Sequence, residues 1–153
     1  DQRKGSKRLE EAIRRLDGVK SIFIGKGPLE PQCDGILFKG TLPHDRVPVF
    51  LGAADIFVLP TEKEGCSNAI VEAMACGLPI VSSNLPFNWD ILDKSNSILV
   101  DPDDIDAIAN AIRLLRDDQG KRDELSCGAL RTAERLAITK RAGKILQFIE
   151  ARL

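Results

Sequence analysis

Residues 54–81 have the sequence ADIFVLPTEKEGCSNAIVEAMACGLPIV, and this stretch decides the fold. Every residue of 56–59 is apolar, as expected for a strand that is buried on both faces of a parallel sheet. A helix is predicted over residues 67–76, because Gly77 and Pro79 follow it and end it. Apolar residues resume directly after the proline. Strand, loop, helix and strand in this order predict a right-handed β-α-β unit.

The same alternation continues on both sides of that stretch. The predicted strands cover residues 22–24, 36–38, 56–59, 80–81 and 98–100. The predicted helices cover residues 6–16, 47–53, 67–76, 104–116, 121–136 and 140–152. Only about ten residues join the first two strands, which is too few for a full crossover helix. The pattern therefore predicts an open parallel α/β sheet flanked by helices, with ligands bound at the carboxyl ends of its strands.

Composition narrows the class of protein. The 153 residues suit one domain, and 43% hydrophobic with 29% charged residues is typical of a globular chain. A formal net charge of −1 provides no strong field for nucleic acid. We find no apolar stretch long enough to span a membrane and no secretory signal pattern, so a soluble domain is expected.

The cysteines and the single histidine do not form a pattern typical of a metal or redox site. Four cysteines without a C-x-x-C pair argue against a zinc site or a redox dithiol. Cys76 and Cys127 each precede a glycine in apolar surroundings, which favours buried, reduced thiols in a cytoplasmic protein. Because His44 is the one histidine, a Ser-His-Asp triad and a histidine-rich metal site are disfavoured.

The helix over residues 67–76 carries the first candidate site residues. It is apolar nearly all round, which predicts a buried helix. Its polar residues Asn68 and Glu72 are four apart, so they share a face and could line one pocket. A buried carboxylate needs a hydrogen-bonding partner. The alternative is that Glu72 pairs with a neighbouring Arg or Lys, or that its face touches water.

The loop before this helix resembles an anion site. Ser67 or Cys66 can cap the helix, and the backbone N–H groups at its start favour an anion there. Gly65 allows a close approach to the backbone. Glu64 lies beside that position, although a solvated loop tip is its ordinary role. Two carboxylates flanking an anion site suit a sugar joined to a phosphate better than a bare phosphate.

Glu64 and Glu72, with seven residues between them and Ala-Met-Ala-Cys-Gly-Leu-Pro after them, resemble the E-x7-E signature of retaining glycosyltransferases of family 4. That family has the GT-B fold of two Rossmann-like halves. Residues 1–153 resemble its C-terminal, donor-binding half, nearly throughout and in the same order. The further matching stretches are Ala54-Asp-Ile-Phe-Val-Leu-Pro60, Gly25-Lys-Gly-Pro-Leu29, Phe38-Lys-Gly40 and Leu99-Val-Asp-Pro102 with Asp104.

The resemblance implies a role for each matching residue. Glu72 would bind the ribose hydroxyls of the donor, and Glu64 the donor sugar. Lys4, before Gly5, would neutralise the diphosphate leaving group. The backbone positions that would hold the sugar and the β-phosphate are Gly65, Cys66, Ser67 and Asn68. The backbone positions that would contact the base are Lys39, Gly40, Thr41 and Leu42. Gly25 and Gly27 would keep the mouth of the site open. No metal in this domain and no cofactor are implied, because the nucleotide sugar is itself the donor substrate.

The sequence also departs from the family pattern. The family has a central strand that ends in Gly-Arg about five residues before its lysine. Neither this strand nor an arginine at that spacing precedes Lys4. We therefore expect a gap in the sheet, or a filler from outside this sequence, and an arginine missing from the diphosphate site. Residues 85–90 replace the usual Gly-Gly-x-x-Glu loop. Asp90 could stand in for that glutamate, and Trp89 could lie near the acceptor.

The resemblance implies hexosyl transfer with retention from a nucleotide-diphosphate sugar to a glycan or lipid-linked acceptor, as in polysaccharide biosynthesis. The partner half, an N-terminal acceptor domain, lies outside these residues, so we expect this chain alone to be inactive. A cytoplasmic location is expected, with at most peripheral contact at the inner membrane face. Five basic residues in the last predicted helices could contact a membrane surface or, more simply, form a solvated helix face. They are Arg131, Arg135, Lys140, Arg141 and Lys144.

Three other functions stay open. A GT-B-type nucleotide-sugar epimerase or phosphorylase-like enzyme would keep the fold, as would a non-catalytic sugar-nucleotide binding module. The binding module has less need of Glu64. A signalling receiver or flavodoxin-like module would share the α/β alternation, but Asp55 lies at the amino end of its strand, where a phosphoacceptor does not belong.

Overall fold

The computed structural model describes residues 5–28, 30–63, 67–137, 147–148 and 150 of the chain. The strands are β1 Ser21–Ile24, β2 Ile36–Gly40, β3 Phe57–Leu59, β4 Ile80–Ser83 and β5 Ser97–Val100. The helices are α1 Ser6–Ile13, α2 Val47–Gly52, α3 Asn68–Ala75, α4 Ile105–Asp117 and α5 Gln119–Leu136. Short 3₁₀ turns precede α2 (His44–Arg46) and follow β4 (Pro86–Asn88). The predicted α/β alternation is confirmed, and the helix predicted over residues 140–152 lies almost entirely outside the described residues.

The strands form two separate parallel sheets. β1 pairs with β2, and β3, β4 and β5 pair in that order. In the described part of the chain, no strand pairs with the second edge of β1 or of β3. A cavity of about 1110 Å³ lies between β1 and β3 and is lined by every residue of these two strands. The expected gap in the sheet is therefore present. The expectation that β3 is buried on both faces is wrong, because its residues are only half-buried where the gap exposes them.

β4 is the fully buried strand, and it divides the core into two apolar clusters. Val81 packs on one face with α1 and α4, whereas Ile80 packs on the other face with α3. Neighbouring strand residues point to opposite faces, so this division follows from the alternation of a strand. The polar-looking end of β4 is buried as well. The sheet is therefore covered by helices on both sides.

α1 ends three residues earlier than predicted. The amides of Arg15 and Leu16 bond to the carbonyls of Ala12 and Ile13, three residues back, so the last turn is tighter than an α-helix. Leu16 is nevertheless buried in the core cluster that contains α4. The apolar spacing of the sequence thus predicted the packing residue but not the bond pattern that ends the helix.

The prediction that α3 is buried all round is wrong. Ile70, Ala73 and Met74 are buried, but Ala69 and Ala75 are exposed. Alanine is small enough to be neutral in either environment, so its apolar character did not identify the buried face. The prediction of buried thiols fails likewise for Cys76, which is half-buried, and for Cys127, which is exposed.

Candidate functional site

The cavity between the two sheets brings together six of the predicted site residues. They are Gly25, Gly27, Lys39, Gly40, Thr41 and Glu72. All but Glu72 lie at or just beyond the carboxyl ends of β1 and β2, and Glu72 reaches the cavity from the second turn of α3. Ligands of open α/β sheets bind at this edge, so the arrangement suits a ligand that spans both sheets.

The remaining predicted residues lie elsewhere or cannot be placed. Ser67 and Asn68 stand at the start of α3, and neither they nor Leu42 line the cavity. Trp89 and Asp90 are exposed on the segment after β4 and do not line the cavity either. Four further predictions lie outside the described residues, namely those for Lys4, Glu64, Gly65 and Cys66.

Two glycines shape the mouth of the cavity. Gly25 has φ +143° and Gly40 has φ +149°, a region that side chains other than glycine rarely occupy. The amide of Gly25 donates to the carbonyl of Gly40 at 2.8 Å, so the two strand ends are tied together. A Cβ built at Gly25 meets no atom within 4 Å. The backbone at this edge is therefore open to a ligand.

Glu72 is one of three described acidic residues that line the cavity, with Glu30 and Asp55, and its hydrogen-bond partner is His44. Nε2 of His44 lies 3.1 Å from Oε1 of Glu72, and the glutamate side chain remains 33% exposed. Within the described ranges, no Lys or Arg forms an ion pair with Glu72. Of the two alternatives given for Glu72, contact of its helix face with water is confirmed. Pairing with a Lys or Arg is not seen among these residues. His44 was not among the predicted site residues. Its place shortly after β2, at the ligand-binding edge, was the one available signal.

The ammonium group of Lys39 contacts the segment between β1 and β2. Its Nζ lies 3.1 Å from Oε2 of Glu30 and 3.5 Å from the carbonyl of Pro31. The side chain therefore ties the end of β2 to the segment between β1 and β2. Lys39, Gly40 and Thr41 line the cavity at this end of β2.

A buried hydrogen-bond network joins the carboxyl ends of β3 and β4. Ser82 donates to the carbonyl of Leu59 at 2.8 Å, and Ser83 donates to the carbonyl of Thr61 at 2.6 Å. The amide group of Asn88 donates to Ser82 Oγ at 3.2 Å and to the carbonyl of Ser83 at 2.7 Å. Satisfied buried networks of this kind hold a single geometry. This network was not predicted from the sequence, although the two serines at the end of an apolar strand indicate it.

The start of α1 is fixed against the end of β3. Gly5 precedes α1 with φ +74°, and a Cβ there would overlap the carbonyl oxygen of Pro60. Arg8, one turn into α1, forms ion pairs with Glu62 in the loop after β3 and with Asp103 after β5, the second at 3.0 Å. The start of α1 is therefore held against Pro60 and Glu62, which follow β3.

The N-terminus of α3 offers backbone donors. Ser67 occupies the N-cap position and is buried, but its side chain makes no capping bond, contrary to the predicted cap. No acidic residue lies in the first turn of α3. The first N–H groups of a helix have no partner within it, and the helix dipole is positive at this end. This end of α3 is therefore suited to an anion.

Solved structures show which fold this chain has. HepE from Anabaena, in complex with UDP and glucose, superposes with a TM-score of 0.85 at 21% identity over 99% of this chain and 46% of that one. Sucrose-phosphate synthase from Thermosynechococcus elongatus gives a TM-score of 0.82 at 23% identity over 100% of this chain and 44% of that one. The chain therefore has the fold of the C-terminal half of a GT-B glycosyltransferase.

Sequence comparison then gives the family. The family model described as glycosyl transferases group 1 matches residues 1–118, and the chain belongs to that family. The lipopolysaccharide core biosynthesis glycosyltransferase LpsD of Rhizobium meliloti (strain 1021) is 30% identical over 141 residues, which are 86% of this chain and 41% of that protein. The sulfoquinovosyl transferase SQD2 of Arabidopsis thaliana is 26% identical over 137 residues, 83% of this chain and 27% of that protein. The chain thus spans well under half the length of these relatives.

No described helix combines the length and the apolar character that crossing a membrane requires.

Proposed function

We propose that residues 1–153 form the donor-binding half of a retaining hexosyltransferase that uses a nucleotide-diphosphate sugar. One observation carries the proposal: the carboxylate of Glu72 lines the same cavity as the open glycine backbone at the ends of β1 and β2. A carboxylate accepts hydrogen bonds from paired hydroxyl groups, and backbone N–H and C=O groups match the edge of a base. Family membership supports the reaction class, and HepE in complex with UDP and glucose supports the ligand class.

In the proposed geometry the bound nucleotide extends from the first sheet, at the end of β2, to the second sheet and α3. The base contacts the backbone of residues 39–42, the ribose hydroxyls bind Glu72, and the diphosphate extends toward the N-terminus of α3. The donor sugar then lies beside Glu64, with the backbone of residues 65–68 around the sugar and the β-phosphate. Lys4 and the amides of α3 would stabilise the departing diphosphate, which is electrostatic catalysis and places no demand on a metal in this half.

The acceptor is proposed to bind outside these residues. Because the chain spans 41% of LpsD, there is room in such a protein for a second half that holds the acceptor. LpsD is named as a lipopolysaccharide core biosynthesis glycosyltransferase, which supports a glycan or lipid-linked acceptor. At most peripheral contact at the inner membrane face is part of the same proposal. The three described cysteines form no disulfide, which supports a reducing cytoplasmic location. On this proposal the 153-residue chain binds the donor but transfers no sugar by itself.

Calorimetric titration tests the donor site. UDP-glucose, GDP-mannose and ADP-glucose are titrated into the purified protein and into the variants Glu72→Gln and Glu64→Gln. We expect one base to bind, with Glu72→Gln weakening that binding about tenfold or more through loss of a charge-assisted hydrogen bond. The matched control is Glu124→Gln, an exposed glutamate on α5 that pairs with Lys121. Absence of binding by all three donors, or equal affinities in Glu72→Gln and the control, would contradict the proposal.

Retention is tested separately with the acceptor half present. The anomeric configuration of the product is determined by NMR spectroscopy in a complete enzyme that contains this chain. The same configuration as in the donor is expected, and an inverted product would refute the retaining mechanism.

A further inference from the structure

His44 is placed by backbone geometry rather than by side-chain packing. It begins the 3₁₀ turn that Pro43 introduces, and the carbonyl of Pro43 accepts the amide of Arg46 at 2.9 Å. The His44 side chain is 85% exposed. Because the imidazole is so exposed, burial contributes little free energy to its placement. Its main contact is therefore the polar one with Glu72.

That contact joins two parts of the site. His44 follows the end of β2 by four residues, whereas Glu72 lies 28 residues further along, in α3. Because the glutamate carboxylate accepts hydrogen bonds and does not donate, Nε2 of His44 is the donor in this pair. One oxygen of the carboxylate is thereby fixed, and its remaining lone pairs and the second oxygen stay available to a ligand.

We propose that His44 positions the carboxylate of Glu72 for the ribose hydroxyls, and that it thereby gives the site its preference for ribonucleotides over 2′-deoxyribonucleotides. This inference rests on the proposed function of Glu72. A glutamate on a helix has three rotatable side-chain bonds, and holding its carboxylate before the ligand arrives reduces the entropy lost on binding. His44 acts through Glu72 and is a positioning residue.

The role predicts a change in selectivity, which separates it from a merely structural role. Both UDP and 2′-deoxy-UDP need the same fold, the same base contacts and the same diphosphate contacts. Only UDP offers the 2′-hydroxyl to the fixed carboxylate. Loss of His44 should therefore weaken UDP more than 2′-deoxy-UDP.

The experiment measures the affinity of both probes for the purified protein and for His44→Ala, His44→Gln and Glu72→Gln. We expect about a tenfold preference for UDP in the unsubstituted protein, and a loss of UDP affinity of about three- to tenfold in His44→Ala with a smaller loss for 2′-deoxy-UDP. His44→Gln should largely restore the preference, because its amide N–H can reach the same oxygen. Asp45→Ala, the exposed next residue of the turn, is the matched control and should leave both affinities unchanged. Should GDP or ADP be the nucleotide that binds, the same pair of ribose and 2′-deoxyribose probes is used with that base.

The outcomes separate this inference from the proposed function. If the unsubstituted protein binds a nucleotide and Glu72→Gln weakens it, but His44→Ala keeps the UDP preference, the positioning role is refuted while the donor site stands. Equal losses for both probes in His44→Ala likewise refute it. If no nucleotide binds, or if Glu72→Gln has no effect, both the proposed function and this inference fail.

Discussion

Ser83 donates a hydrogen bond of 2.6 Å to the carbonyl oxygen of Thr61, and both residues are fully buried. Thr61 lies two residues beyond β3, whereas Ser83 is the last residue of β4. The bond therefore continues the connection between the two strands past their last paired residues. Because Thr61 opens the loop that contains Glu64, the geometry of β4 fixes the start of that loop.

Replacing Ser83 with Ala should leave the carbonyl of Thr61 buried without this donor. Such a loss costs about 1–3 kcal/mol of unfolding free energy, which urea denaturation measures. Ser126→Ala, at a half-buried position on α5, is the matched control and should change the unfolding free energy by less than about 0.5 kcal/mol. A Ser83→Ala protein as stable as that control would show that the bond does not hold the loop.

Gly5 and Gly18 form a natural pair for testing the contact between α1 and Pro60. Both glycines have left-handed φ values, +74° and +71°, so Ala at either site has the same backbone strain of about 1 kcal/mol. At Gly18 a Cβ meets nothing within 4 Å, whereas at Gly5 it would overlap the Pro60 carbonyl. We expect Gly5→Ala to be at least about 1–3 kcal/mol less stable than Gly18→Ala in urea denaturation. Equal losses would mean that α1 does not approach β3 this closely.

Glu10 should make stability depend on pH in the acidic range. Burial alone raises its pKa, but hydrogen bonds from Arg14 and Lys7, helped by the charge of Lys7, hold the pKa of Glu10 below its ordinary value of 4.5. A carboxylate with a lowered pKa in the folded state stabilises the fold above its unfolded pKa. That contribution is lost as the pH falls through the lowered pKa.

Urea denaturation across the range from about pH 6 to pH 3 measures this effect. Glu10→Gln should lower the unfolding free energy near pH 6 and make it less dependent on pH below about 4.5. Glu11→Gln is the control, because Glu11 is exposed and lies 3.5 Å from Arg15. If Glu10→Gln keeps the full acid dependence, the ion pairs of Glu10 with Lys7 and Arg14 do not contribute to it.

The sequence predicted most of the fold because its signals are local. Ile80 and Val81 lie between the residues that end α3 and a polar segment, so a strand with two apolar faces follows from alternation alone. The ends of elements were less predictable. In α1 the change from i−4 to i−3 bonding near Leu16 depends on small energy differences that residue types do not encode.

The candidate site was predictable only in part. Glu72 was identified as a polar residue on an otherwise apolar helix and by its match to a family pattern, and the glycines at the ends of β1 and β2 by that pattern alone. His44 was not assigned to the site, because its contact with Glu72 depends on how the turn before α2 lies relative to α3. Asn88 was missed for the same reason, since its partners Ser82 and Ser83 are brought to it only by the turn after β4.

The cavity that the ends of β1 and β2 share with Glu72 of α3 is proposed to bind a nucleotide sugar. The most direct measurement is a titration of the isotopically labelled protein with UDP-, GDP- and ADP-sugars, followed by NMR spectroscopy of the assigned backbone amides. With one of the three bases, we predict that the amides of Gly25, Gly40, Thr41, Asn68 and Glu72 shift together, while those on the exposed face of α5 stay unchanged. No shift with any donor, or shifts confined to α4 and α5, would contradict the account.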